Sequence, residues 1–72
     1  MGVAESAHRH GTTDEEIRHA VANAIRFHDL DEGLVMIVGP TATGALIEVG
    51  LVTADDDDPI AVHAMAARAK FL

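Results

Sequence analysis

The chain has 72 residues, 49% of them hydrophobic and 24% charged, with 12 acids against 5 Lys and Arg and a formal net charge of -7. That length holds one small domain, residues 1–72, whose thin core calls for an economical sheet or a partner. Cysteine is absent, which excludes disulfide scaffolds, thiolate zinc sites and thiol nucleophiles.

No apolar run reaches the roughly 18–20 residues of a membrane span, and no basic-then-apolar signal stretch opens the chain. A cytoplasmic protein with no membrane contact is the expectation.

In chain order, Ala4 to His10 reads as a short first helix, with Val3, Ala7 and His10 at helical spacing and Gly11 placed to end it in a left-handed cap. Thr13 followed by Glu16 fits a capping box, and Asp14, Glu15 and Glu16 suit the positive end of a helix dipole. A second helix is therefore expected from Asp14 to about Asn23, with Ile17, Ala20, Val21 and Ala24 as its apolar side.

From Ile25 the period changes. Ile25 to Leu30 alternates as a strand, with Phe27 alongside Ile25 as a core candidate, and Asp31-Glu32-Gly33 makes a short hairpin loop. Leu34 to Val38 is a continuous apolar run, expected in the middle of a sheet. Gly39 to Gly44 lacks the Gly-Lys-Ser/Thr ending of a phosphate loop and reads as a turn, so no cofactor is expected. Ala45 to Val52 is a third strand with Glu48 as its one charge, Asp55 to Pro59 a loop, and Ile60 to Met65 a fourth strand. Ala66 to Leu72 reads either as a short helical turn or as an extended tail.

The expected fold is α+β, with two N-terminal helices packed on a four-stranded antiparallel β-meander. Such a sheet has two poorly defended edges. Pairing between chains would cover one, and a homodimer is expected on that account.

The charge is unevenly placed: residues 1–30 carry -2, residues 31–60 carry -7 with no Lys or Arg, and residues 61–72 carry +2. The overall balance argues against a general nucleic-acid binder, while the tail keeps a local anion site open. His63 on the last strand, with Arg68 and Lys70 beyond it, is the best grouping here for proton transfer beside a phosphate, and His10 is a more distant candidate to join it. The bland alternative is an ordinary strand histidine followed by a solvated tail. Histidine and acid spacings match no metal motif, and no metal site is expected.

Several segments resemble BrnT-type toxins, in the RelE-like ribonuclease group. His10-Gly11-Thr12-Thr13-Asp14-Glu15-Glu16-Ile17 is similar to their His-Gly opening before a helix. The stretch from Ile37 to Val49 is similar to their Ile-Gly…Gly-Arg-Leu segment, with Ala45 where they carry Arg. Ala66 to Lys70 is similar to their Ser-Ala-Arg tail. The resemblance implies a RelE-like fold and a toxin that cuts RNA to inhibit translation, neutralised by a protein antitoxin. The alternative reading is a non-enzymatic interaction or dimerisation domain of the same fold. The family usually opens with a strand ahead of its first helix, and no such strand is expected in this chain.

Overall fold

The computed structural model describes residues 1–53 and 58–72. The run expected as an acidic loop, Asp55 to Asp58, lies outside the described residues apart from Asp58.

Helix α1 spans Asp14–Ala22. Thr13 sits extended at its N-cap, its Oγ1 accepting the Glu16 amide at 3.1 Å while Glu16 Oε1 accepts the Thr13 amide at 2.9 Å. This reciprocal pair satisfies two donors that the first turn would otherwise leave open. Ile17 and Ala20 are buried against the sheet with Val21 beside them. The helix approaches so closely that a Cβ at Gly39 would collide with the Ala20 carbonyl, so that strand position accepts glycine alone.

Five strands form one mixed sheet: β1 (Gly2–Val3), β2 (Arg26–Asp31), β3 (Leu34–Pro40), β4 (Leu46–Val52) and β5 (Ile60–Ala66), in the order β1-β5-β4-β3-β2. Neighbours from β2 to β5 are antiparallel, and β1 runs parallel to β5. The face under α1 packs Ile37, Ile47, Val49, Leu51, Ala61 and Ala64 against Ile17, Ala20 and Ala7. On the other face the C-terminal segment folds back, and Phe71 in a 3-10 turn (Ala69–Phe71) packs on Met36 and Val38.

Two expectations about the architecture are corrected. The N-terminal segment is not a second α-helix: it is a 3-10 turn, Glu5–His8, preceded by strand β1. A segment this short cannot recover the cost of nucleating a helix. Its backbone is satisfied along the β5 edge instead, through Gly2 N–H to Pro59 O at 3.0 Å and Ala4 N–H to Ala61 O at 2.8 Å, and the Ser6 side chain adds Oγ–H to Val62 O at 2.7 Å. The sheet is consequently five-stranded and mixed, not a four-stranded antiparallel meander, and a strand does precede the helix.

Phe27 is also not in the core. It is 71% exposed, because β2 is the outermost strand and lies beyond the reach of α1, which packs on β3 and β4.

Candidate functional site

Glu48 lies mid-way along β4 on the face opposite α1, with 0% exposure. An ionised carboxylate placed there costs several kcal/mol unless its lone pairs are filled. Two residues fill them. Arg68 donates its backbone N–H to Oε1 at 2.9 Å, its Nε–H to both oxygens at 3.1 Å and its Nη2–H to Oε2 at 2.7 Å. His63 Nε2 lies 2.8 Å from Oε2. Burial pushes the Glu48 carboxyl up, but the Arg68 side-chain and backbone hydrogen bonds, the His63 bond and the Arg68 charge outweigh it and hold the carboxyl down at about 2. Glu48 in turn raises the Arg68 guanidinium, chiefly through their hydrogen bonds, against a smaller opposing effect of desolvation.

The sheet register brings these groups together. Gly50 pairs with His63 and Leu51 with Ala61, so Val62 is an extra residue on β5. This bulge sends both Ala61 and Ala64 into the core under α1 and turns His63 to the opposite face, diagonal to Glu48. A Cβ at Gly50 would come 3.2 Å from His63 Cβ, so the glycine leaves the imidazole its room. Past β5, the Ala67 amide donates to Leu46 O at 3.1 Å, and the chain then lays extended Arg68 over Glu48.

A carboxylate can only accept, so His63 donates from Nε2–H and its Nδ1 is left as the basic nitrogen. No described group bonds Nδ1, and the side chain is 29% exposed. The His10 ring stands edge-on to it, 6.1 Å between centroids. Arg68 is 44% exposed, leaving the outer edge of its guanidinium in solvent while the inner edge holds Glu48. A fixed imidazole with an open basic nitrogen, a second imidazole and a tethered cation suit proton transfer beside an anionic group.

Of the candidates read in the sequence, His63 and Arg68 meet on Glu48 and His10 stands beside His63. Lys70 does not reach Glu48. Its Nζ lies 5.2 Å from the Phe71 ring centre, with the Arg68 guanidinium carbon 5.5 Å from the same ring. Glu48 itself was missed, although a single charge in the apolar strand Leu46–Val52 was its visible signal. Among the described residues no cluster of three His, Cys, Asp or Glu could hold a metal ion, and no helix is long and apolar enough to cross a membrane. Comparison with protein-family models, curated proteins and solved structures returns no match to this chain.

Proposed function

We propose that the chain is a metal-independent endoribonuclease acting as the toxin of a toxin–antitoxin pair, inhibiting translation until a protein antitoxin covers it. His63 Nδ1 takes the proton of an RNA 2′-hydroxyl and the 2′-oxygen attacks phosphorus. The bond to the 5′-oxygen breaks, protonated His10 gives that oxygen its proton, and Arg68 holds the phosphate charge. Lys70 adds positive charge on the same C-terminal segment. The observation that carries this reading is the His63 imidazole fixed by a buried carboxylate, with its basic nitrogen open beside a second imidazole. The orienting acid follows the logic of hydrolytic triads.

The test is induced expression in a bacterial host, following growth and bulk translation for the wild type, His63→Ala and His63→Ala/Arg68→Ala. Arrest by the wild type that both variants abolish while still accumulating as folded protein is the expected result. Arrest that persists in the variants contradicts the site. A second reading, an interaction domain without catalysis that pairs through its sheet edge, as a homodimer or with another chain, is favoured by one observation: the exposed Phe27 on β2.

A further inference from the structure

We infer that a single-stranded RNA lies across the sheet face opposite α1, its 5′ side on Lys70 and Arg26 and its 3′ side at His10. The direction of the strand rests on the proposed roles of His63 and His10, and its path rests on where the charges stand.

The C-terminal segment crosses the strands like a strap. The Ala67 amide bonds Leu46 O on β4, and Arg68 lies over Glu48 on the same strand. Phe71 packs on Met36 and Val38 of β3, and its carbonyl accepts His28 Nε2–H of β2 at 2.7 Å. His28 pairs with Met36 and Arg26 with Val38, so both side chains share this face with Phe71. Lys70 Nζ stands 5.2 Å from the Phe71 ring centre, and the His28 ring lies 5.5 Å from it. His28 thus pins the end of the strap and with it Lys70. Arg26 gives one Nη–H to Ile25 O at 3.1 Å, which leaves the rest of its five donors for a ligand.

Three of the five Lys and Arg therefore gather on one face of a chain whose net charge is -7. Among the described residues the acid within that face is Glu48, fully buried under Arg68. Asp14, Glu15 and Glu16 open α1 on the other face, where Asp29 also points, since it pairs with Val35. Asp31 and Glu32 sit at the far end of β2, in the turn to β3. Glu48 already matches the charge of Arg68, so the positive charge in excess here belongs to Lys70 and Arg26.

Residues 4–6 bond along the outer edge of β5, so His10 meets His63 from that side while Arg68 stands on the other. From there to β2 the order is His10, His63, Arg68, Lys70 and Arg26. Three strand spacings separate β5 from β2, roughly 14 Å, which is room for more than one phosphate of an extended strand. His63 takes the 2′-hydroxyl proton and so belongs with the nucleotide 5′ of the cleaved bond. His10 protonates the leaving 5′-oxygen and belongs with the nucleotide 3′ of it. The RNA therefore runs 5′ to 3′ from Arg26 toward His10. An acidic protein segment fits this row less well. It needs apolar anchors or a strand edge, whereas Phe71 is 8% exposed and β3 and β4 are interior strands. A phosphodiester backbone needs only the charges.

The experiment is an NMR titration of the full chain with a deoxyuridine hexamer, which has the phosphates of RNA but no 2′-hydroxyl and cannot be cut. At about 50 mM salt the expected result is saturable shifts at residues 26–28 and 68–71, weakened roughly three- to tenfold by Lys70→Gln or Arg26→Gln. Each substitution should also lower the log–log salt slope by about 0.7. Arg18→Gln removes the same charge from α1 and should change affinity less than about twofold. A spin label on the 5′ end of the hexamer should broaden the amides of residues 26–28 more than those of His10 and Gly11, and a 3′ label the reverse. No shift on this face, an equal loss from Arg18→Gln, or labels in the opposite order would overturn the inference. A hexaglutamate peptide that binds as tightly and depends equally on Lys70 would overturn it in favour of a protein partner. A chain that binds the hexamer as expected yet leaves RNA whole upholds the path and defeats the cleavage reading alone.

Discussion

Replacing Glu48 by glutamine tests the centre of the structure. The substitution keeps the shape, removes the charge, and sets an amide NH2 against donors that now converge on two oxygens. Removing one partner of a buried ion pair costs about 3–5 kcal/mol when the survivor stays buried. Arg68 is 44% exposed and recovers solvent, which places the expected loss nearer ~2–3 kcal/mol.

The pH dependence gives a separate route to the magnitude. The carboxyl falls from 4.5 to about 2 on folding, and at about 1.4 kcal/mol per pH unit this is on the order of 3 kcal/mol. The folded value lies below the unfolded one, so this stability is fully present above the unfolded value of 4.5 and is lost as pH falls toward about 2. Urea unfolding followed by circular dichroism, at neutral pH and in steps through that acid window, measures both quantities. The wild type should lose stability steeply across the window, and Glu48→Gln should start lower and lose less. A variant within ~0.5 kcal/mol of wild type at neutral pH, or a wild type whose acid limb lies wholly above pH 4.5, refutes the reasoning. If the variant does not fold, the wild-type acid limb decides alone.

Three further outcomes can be measured in the same way. Gly39→Ala forces a Cβ into the Ala20 carbonyl and should cost on the order of 3 kcal/mol, read as a lower urea midpoint. In the β2–β3 hairpin Glu32 adopts φ 49° and Gly33 φ 79°, so Glu32→Asn should raise stability by roughly 0.5–1 kcal/mol, because Asn-Gly suits a turn with both central residues left-handed. Thr13→Ala removes the side-chain acceptor of the Glu16 amide and should cost about 1 kcal/mol.

Where local chemistry decides structure, the sequence was readable. Thr13 and Glu16 announce the start of α1, and Ile17 and Ala20 announce its buried side. Where distant pairing decides, it was not. Gly2 and Val3 become a strand through β5, and two residues carry no period to read. Phe27 alternates as a core residue would, yet a nine-residue helix covers only the middle strands.

The site divides along the same line. His63 and Arg68 are close in the chain and were grouped for that reason, while Glu48 joins them through the β4–β5 register and a bulge at Val62. A strand acid amid apolar neighbours needs buried donors, which marks Glu48 for pairing without naming its partners. Lys70 was grouped with Arg68 by proximity, but in the 3-10 turn its ammonium goes to the Phe71 ring.

The central claim is that His63, held by Glu48, is the base of an RNA-cleaving site. Its most direct test is incubation of the purified full chain with a single-stranded RNA and with the matching DNA in the presence of a chelator, beside a folded His63→Gln variant. The account predicts that the wild type cuts RNA, leaves DNA intact for want of a 2′-hydroxyl, and loses at least ~100-fold in rate in the variant. Folded wild-type protein that leaves RNA whole, or a variant that cuts as fast, contradicts it.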